Sequence, residues 1–479
     1  MSFTTPVFFL FLPLVLILYR ILPGKYRWML LLGASYFFYA CHNVWLLGLI
    51  LVTTAVSYFS AIAIEQAKSP GVRRLAVVGS TVVCLGILAV FKYLDFAAGS
   101  ILTLLKLFGT NVSFRGFHIL LPMGISFYVF QTMSYTFDVW RGKASAERHP
   151  GYYALFVVFF PQLVAGPIER PGDLIPQLKA PLPTTAASHF DSLSLLIRGY
   201  AKKLLIADCL AVFADNAFNH VEAAGGSALS AAAVLFAFQI YCDFSGYSDI
   251  ARGCAGFMGI RLTENFRLPY SAVSIRDFWH RWHLSLTRWF TDYLYIPLGG
   301  SRKGRFITCR NTLITFLVSG LWHGADWTFV IWGGLHGLYL ILESFLCPGQ
   351  KEPKGKTGRL VRKALTFAAV CFAWIFFRCA TLEEAFLTVR LIFTDWRLSR
   401  LLTGLSMSGT DLIIVTLLLL ILPFIEKLPA FYQEKEPLKM SRVSCHTALL
   451  YFLICMAALI CRCLVLTEHG STAFIYFQF

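Results

Sequence analysis

The stretch VWLLGLILVTTAVSYFSAIAI, residues 44–64, contains no charged residue and is long enough to cross a bilayer as one helix. Similar apolar runs recur along the chain, among them residues 152–165, 193–213 and 447–466, with short basic loops between several of them. Of the 479 residues, 57% are hydrophobic and only 14% are charged, against about 25% charged in soluble domains. The mean hydropathy is +0.65. The composition excludes a soluble enzyme and a disordered chain, and predicts an all-α polytopic membrane protein with about 11–13 membrane-embedded helices, some of them broken or re-entrant.

Basic loops predict the orientation of the chain, because Lys and Arg accumulate in short cytoplasmic loops. Residues 20–27, 65–74 and 141–148 are basic, and an even number of predicted crossings separates each from the next. This alternation predicts that the N-terminus and the C-terminus both lie outside. Such loops account for the net charge of +16, so membrane lipid and not nucleic acid is the expected partner.

A single integral membrane domain over residues 1–479 is predicted, because no long linker or internal repeat divides the chain. Residues 1–150 are expected to form N-terminal helices, residues 161–380 a central core, and residues 381–479 the last helices and a terminal aromatic motif. The core is distinctive because Gly, Pro, Trp, His and charged residues interrupt its apolar segments. Ionisable groups at membrane depth are costly, so each one suggests a functional site.

Two prolines and a glycine interrupt residues 161–170, which also contain Gln162 and Glu169. Non-helical backbone at membrane depth is tolerated only where protein or a cavity surrounds it. The segment therefore predicts either the lining of a buried site or a surface loop that dips into the membrane interface.

A second polar segment, residues 239–249, follows an apolar run and contains Asp243, Ser245 and Asp249. Carboxylates at that position suggest a site at membrane depth. The alternative is that the two aspartates cap helix ends or pair with Arg252.

Residues 274–290 place Arg276, His280, His283 and Thr287 at helical spacing, on a different face from the aromatic residues. An amphipathic helix at the membrane interface explains the aromatic rings and arginines. It does not explain two histidines on the polar stripe. No metal site is expected from these histidines, because no further ligand set lies nearby.

The motif Trp322-His323-Gly324 is the sharpest feature of the core. His323 follows Arg310 by 13 residues. A continuous helix would place it about 20 Å from the basic loop, past the middle of a core about 30 Å thick. Such a histidine either joins helices through hydrogen bonds or acts as a general acid or base. His336, in the next apolar run, is expected to be a packed or interfacial residue.

Five stretches between Pro161 and Cys379 resemble the membrane-bound O-acyltransferase family, and within it the bacterial alginate O-acetyltransferase branch. They are PQLVAGPIERP, YCDFSGYSDIARG, LPYSAVSIRDFWHRWHLSLTRWFTDYLYIPLGGSRKG, SGLWHGADWTFVIWGGLHG and AWIFFRC. The resemblance implies an all-helical body in the bacterial cytoplasmic membrane, with a water-accessible tunnel. It also implies a catalytic His323 and a second family histidine, His283. Tunnel or substrate contacts are expected from Gln162, Glu169, Asp243, Ser245, Arg276, His280 and Trp322.

The final aromatic residues, FIYFQF at 474–479, resemble a Phe-x-Tyr-x-x-Phe motif of the family's extracytoplasmic acylation systems. Its tyrosine, here Tyr476, is thought to carry the acyl group; an interfacial anchor would also explain the rings. The resemblance implies transfer from acetyl-CoA or a cytoplasmic acyl carrier, with no bound cofactor. An external SGNH-type transferase would then acetylate an alginate-like exopolysaccharide or peptidoglycan.

Two other functions stay open at this point. D-alanyl transfer to teichoic acid would depend on a D-alanyl carrier protein and on a separate tyrosine-bearing peptide. A membrane transporter would also combine broken helices with intramembrane Asp, His and Arg, and its usual sign is an inverted repeat. Release of a free thiol from an acyl thioester would distinguish catalysis from transport.

Overall fold

A computed structural model of the chain describes residues 1–109, 116–117, 119–346, 355–426 and 474–475. Over these ranges the chain is mainly helical and contains no strand, which confirms the predicted all-α class. The predicted last apolar run, residues 447–466, and the proposed acyl carrier Tyr476 lie outside the described residues. The chain divides into two compact units, unit 1 (Met1–Thr185 and Cys254–Thr263) and unit 2 (Ala186–Gly253 and Glu264–Phe479).

Unit 1 is built from helices α1 to α8 in its described part. Their bounds are Pro6–Ile21, Gly24–Ala40, Leu47–Gln66, Pro70–Leu88, Leu94–Leu107, Ile125–Trp140, Pro150–Val158 and Pro171–Lys179. Helix α4 begins where the sequence dictates, with Pro70 in its first turn and the Ser69 hydroxyl accepting a hydrogen bond from Gly71 N at 3.3 Å. Polar side chains also join helices inside the unit, since the Ser57 hydroxyl lies 2.5 Å from the Tyr153 hydroxyl.

Unit 2 holds helices α9 to α19, apart from the last residues of α11. Their bounds are Ala186–Tyr200, Asp208–Asn219, Val221–Gly256, Ile275–Trp279, Leu284–Phe290, Arg305–His323, Trp327–Leu346, Gly355–Arg378, Leu382–Thr394, Leu401–Gly404 and Gly409–Glu426. A π-helical segment, Ala201–Ala207, joins α9 to α10. Such wide turns occur often at functional sites, because they shift side chains relative to a regular helix.

Six helical segments of the described ranges are long and apolar enough to cross a membrane. They are Val44–Gln66, Pro70–Leu107, Val221–Gly256, Trp327–Leu346, Gly355–Arg378 and Gly409–Glu426. Other predicted runs correspond to shorter or interrupted helices. The run expected over residues 152–165, for example, is helical only to Val158.

The segment Pro161–Glu169 is buried and non-helical, which confirms a broken segment and shows that the surface-loop alternative was wrong. Asp243 and Asp249 lie well inside α11, so the alternative that they cap helix ends was also wrong. The predicted partnership with Arg252 does occur, since its Nη1 lies 3.7 Å from Asp249 Oδ1.

The prediction of a continuous amphipathic helix over residues 274–290 is wrong. Helix α12 ends at Trp279 and α13 begins at Leu284, with His283 between them in a left-handed conformation (φ 45°). Asn265 stabilises this break, because its backbone oxygen accepts from Leu284 N at 3.0 Å and its Oδ1 accepts from Ser285 N at 3.1 Å. The turn separates the two predicted stripe histidines, leaving His280 exposed and His283 buried.

Helices α14 and α15 approach closely at two glycines. A Cβ on Gly333 would overlap the carbonyl oxygen of Phe316, and a Cβ on Gly320 would overlap that of Phe329. Small residues of this kind allow membrane helices to pack backbone against backbone. This contact positions the end of α14, where His323 lies.

We expect Gly333→Ala to lower the free energy of unfolding by about 1–3 kcal/mol, because the added methyl group must push α14 and α15 apart. Gly334→Ala is the matched control, since its Cβ would meet only Leu317 Cδ2 at 3.4 Å. The measurement is the thermal unfolding midpoint of both variants in the same detergent. Equal midpoints for the two variants would contradict the close-contact role of Gly333.

Candidate functional site

His323 is the last residue of α14 and is only 3% exposed. The continuous helix predicted between Arg310 and His323 is confirmed, since α14 runs unbroken from Arg305. The imidazole lies inside an aromatic enclosure, with ring centroids 4.9 Å from Trp322, 5.0 Å from Trp332 and 5.5 Å from Phe377. Burial of this kind keeps bulk water away from a group suited to proton transfer.

His283 is fully buried and its ring centroid lies 6.4 Å from that of His323. Phe244 of α11 packs against it at 4.6 Å, and Trp322 at 6.2 Å. His283 lies outside the six apolar spans, and burial lowers its pKa to about 3 from an ordinary value of 6.5. It is therefore neutral at physiological pH, able to accept one hydrogen bond and to donate another.

The wall beside His323 contains indole rings whose polar atoms are available. Trp332 and Trp374 stack at 5.6 Å, and the Nε1 atom of each is buried without a hydrogen-bond partner among the described residues. His336 is a packed residue, as predicted: it is fully buried and its Nδ1 accepts from Trp279 Nε1 at 3.3 Å. Buried indole N–H groups of this kind can donate hydrogen bonds to a bound oxygen atom.

Asp243 lies one residue before Phe244 and belongs to a buried ion cluster. Its Oδ1 lies 2.6 Å from Lys203 Nζ, which also lies 2.8 Å from Asp208 Oδ1. Its Oδ2 accepts a hydrogen bond from the backbone N–H of Ile475 at 2.8 Å. Part of the C-terminal aromatic motif therefore contacts the same residue that the sequence singled out.

A second cluster lies further along α11, around Asp249. The carboxylate binds Arg198 Nε at 2.8 Å and Lys202 Nζ at 2.9 Å, and Lys202 also pairs with Glu426 at 2.6 Å. The Tyr241 hydroxyl donates to Glu426 at 2.7 Å. These contacts connect α9, the π-helical segment, α11 and α19.

The basic residues of both clusters, and Asp208 with them, were not singled out from the sequence. Arg198, Lys202, Lys203 and Asp208 all fall in residues 193–213, which were counted only as an apolar run. The signal was present, because four ionisable residues inside such a run require partners or a function.

Two adjoining cavities lie in unit 2. The larger, of about 770 Å³, has a mainly basic lining, in which Arg276, His280, Arg281, Arg359, Arg362 and Lys363 outnumber the carboxylates of Asp277 and Glu343. The smaller, of about 380 Å³, shares Arg276 and His280 with the first. It also reaches Ser319, which lies one helical turn before His323 on α14.

The remaining predicted site residues belong to different units of the chain. Gln162 and Glu169 belong to unit 1, where Gln162 Nε2 donates to the Phe156 oxygen at 2.8 Å and Glu169 accepts from Thr263 N at 2.6 Å. Ser245 belongs to unit 2 and is buried, with no hydrogen-bond partner for its hydroxyl in the part of the chain that the structure describes. Over those same ranges, no three His, Cys, Asp or Glu side chains are grouped to hold a metal ion.

Comparison with known proteins gives a consistent result. A family model described as the membrane-bound O-acyltransferase family matches residues 31–383. The probable alginate O-acetylase of Azotobacter vinelandii is 42% identical over 424 residues, covering 88% of this chain and 83% of that protein. The probable alginate O-acetylase of Pseudomonas putida is 38% identical over an alignment of 504 residues that covers 100% of both chains. The peptidoglycan O-acetyltransferase of Helicobacter pylori is 36% identical over 417 residues, 80% of this chain and 78% of that protein.

The low pKa of His283 predicts a pH-dependent contribution to stability. The unfolded histidine takes up a proton as the pH falls below about 6.5, whereas the folded one does so only near pH 3. Above the unfolded pKa, His283 is neutral in both states and the folded protein has its full stability. As the pH falls below that value, protonation favours the unfolded state and stability is lost. We therefore expect the unfolding midpoint of His283→Gln to drop less than that of the wild type between about pH 7 and about pH 5. His220→Gln, at an exposed position, serves as the control and should follow the wild type; parallel curves for all three proteins would contradict the assignment.

Proposed function

Because the chain belongs to the membrane-bound O-acyltransferase family and is therefore an acyltransferase, we propose that it moves an acetyl group from a cytoplasmic thioester to an extracytoplasmic polymer. The observation that carries this proposal is the buried pair of His323 and His283, with ring centroids 6.4 Å apart inside an aromatic enclosure. The names of the relatives support acetyl as the acyl group and a polysaccharide, alginate-like or peptidoglycan, as the final acceptor. They favour acetyl over D-alanyl transfer, and catalysis over transport.

His323 is the general base in this proposal. It removes the proton from the accepting hydroxyl, and its buried position excludes water that would hydrolyse the thioester. His283 is neutral and close enough to orient His323 or the acceptor through one hydrogen bond. The indole N–H groups of Trp332 and Trp374 are candidates to stabilise the oxygen that gains negative charge.

The basic cavity is the proposed entrance for the acyl donor. Its arginines and lysine suit a phosphorylated donor such as acetyl-CoA, or the acidic surface and phosphopantetheine arm of an acyl carrier. The adjoining 380 Å³ cavity would hold the thioester arm, because it leads to Ser319 and so toward His323. Arg276 and His280, which line both cavities, would then contact the donor at the junction.

Tyr476 is the proposed first acceptor. Its phenolic oxygen attacks the thioester carbonyl carbon while His323 accepts the phenolic proton. The C–S bond then breaks and the proton passes to the thiolate, which leaves a tyrosine acetyl ester and a free thiol. The two residues that precede Tyr476 support this role, because Phe474 and Ile475 are 1% and 6% exposed inside unit 2.

An extracytoplasmic SGNH-type transferase is the proposed partner for the second step. It would take the acetyl group from the tyrosine ester and place it on a hydroxyl of the polysaccharide. Division into two covalent steps avoids carrying a charged donor through lipid, which is costly. The protein would act in the bacterial cytoplasmic membrane, with both termini outside.

We expect His323→Ala to reduce polysaccharide O-acetylation by about 10²–10⁴-fold, because the general base is lost. Tyr476→Phe should abolish it as well, since the phenyl ring has no oxygen to acylate. The measurement is the O-acetyl content of the polymer in cells, with the amount of each variant in the membrane determined in parallel. His220→Ala, at an exposed position, is the control and should retain full acetylation. Full acetylation with Tyr476→Phe would contradict the tyrosine relay, and full acetylation with His323→Ala would contradict the catalytic assignment.

The donor site generates a separate prediction. The double variant Arg359→Ala, Arg362→Ala should raise the KM for acetyl-CoA about tenfold with little change in kcat, because charge-assisted contacts to phosphate are lost. Arg390→Ala on α17 removes an exposed arginine outside the cavity lining and is the matched control. Thiol release by purified protein measures both parameters. A KM equal to that of the control would show that the donor binds elsewhere.

A further inference from the structure

The C-terminal aromatic motif contacts unit 2 through two residues. The ring of Phe474 lies over the ammonium group of Lys203, with Nζ 4.6 Å from the ring centroid, and packs edge-on against Tyr247 at 5.3 Å. Ile475 donates its backbone N–H to Asp243 at 2.8 Å. A cation–π contact and a hydrogen bond to a carboxylate are both strong when they are shielded from water.

The charges beneath this segment are buried and mutually dependent. Lys203, Asp208 and Asp243 are all at most 2% exposed, and the single ammonium group binds both carboxylates. Asp243 uses one oxygen for Lys203 and the other for Ile475. Because donors at both oxygens stabilise a buried carboxylate, the backbone N–H of Ile475 adds a contact to Asp243 that Lys203 does not supply at that oxygen.

Local backbone geometry places these charges. Lys203 lies in the π-helical segment Ala201–Ala207, directly after α9. The end of α9, directly before this segment, packs tightly on α11 at a pair of glycines, since a Cβ on Gly199 would lie 2.6 Å from the carbonyl oxygen of Gly246. A larger residue at either glycine would move Lys203 away from Asp243.

We propose that Lys203, Asp208 and Asp243 form a binding site for the chain's own C-terminal segment and act as positioning residues. The site lies next to the histidine pair, because Phe244, the neighbour of Asp243, contacts His283 at 4.6 Å. Phe474 and Ile475 are held directly, and they immediately precede Tyr476 in the sequence. The functional meaning of the site rests on the proposed relay through Tyr476, whereas the binding of the segment does not.

Asp243→Asn tests the binding site directly. A carboxylate accepts hydrogen bonds at both oxygens, but an asparagine accepts at only one, so either Lys203 or Ile475 must face an N–H₂ group. We expect the Ile475 amide to exchange its hydrogen about tenfold faster or more in this variant than in the wild type. Hydrogen–deuterium exchange of the full-length protein in nanodiscs, followed in peptides spanning residues 470–479, measures this. Exchange in peptides from α14 should not change, which separates loss of positioning from general unfolding.

A second variant avoids the risk of misfolding, because it leaves the buried charges in place. Phe474→Ala removes the ring over Lys203 and should also increase exchange at Ile475. Tyr241→Phe is the matched control: it lies on α11, loses a buried hydrogen bond to Glu426, and contacts neither Phe474 nor Ile475 in the described structure. It should exchange like the wild type at residues 470–479.

The outcomes separate this inference from the proposed relay. Faster exchange in Asp243→Asn and Phe474→Ala supports the binding site, even if Tyr476→Phe keeps full acetylation and the relay is wrong. Unchanged exchange in both variants overturns the binding site, even if Tyr476→Phe abolishes acetylation. Where both hypotheses hold, Asp243→Asn should lower the kcat of acetyl transfer while leaving the KM for acetyl-CoA unchanged, because the donor cavity is intact.

Discussion

Neutralisation of the buried charges between the π-helical segment Ala201–Ala207 and α11 is the constraint on which much of unit 2 depends. Lys202 binds Asp249 and Glu426, while Lys203 binds Asp208 and Asp243. An ion without a partner in such surroundings costs several kcal/mol, so each lysine must meet its carboxylates. Adjacent lysines therefore fix the segment, α11 and the end of α19 in a single register.

This register also determines the surroundings of the histidine pair. Once Asp243 is held by Lys203, Phe244 is directed against His283, and His283 lies beside His323. The aromatic rings around His323 then bury its imidazole, and hydrogen bonds formed in such low-polarity surroundings are stronger than in water. Charge pairing thus organises the site, and aromatic packing sets its low polarity.

The proposed donor side has the opposite character. Its cavity is open and basic. Arg276 and His280, which this cavity shares with the smaller one, are exposed. A basic cavity beside a buried aromatic enclosure suits the proposed reaction, in which a charged donor stays outside while only its acyl end enters. Helix α14 contributes to both regions, because Ser319 lines the smaller cavity and His323, one turn later, lies in the aromatic enclosure.

Much of the fold and part of the site were predictable from local sequence. Apolar runs indicated the helices, two prolines and a glycine indicated the break at Pro161–Glu169, and residue spacing placed His323 deep on a continuous helix. The stripe predicted over residues 274–290 failed because periodicity assumes an unbroken helix. Asn265, which is distant in sequence, stabilises the left-handed turn at His283 instead. The partners of Asp243 were invisible for a similar reason, since Lys203 lies 40 residues before it and Ile475 lies 232 residues after it.

By itself, then, the amino-acid sequence determined that the chain is embedded in lipid, where most of its helices lie, and which residue types can transfer a proton. Hydropathy and residue spacing, on which these conclusions depend, are local properties. Only the tertiary structure decided that His283 turns inward to meet His323 while His280 stays exposed, and that Ile475 reaches Asp243. These contacts depend on close helix packing and on the need of buried charges for partners, and both conditions arise only when distant segments meet.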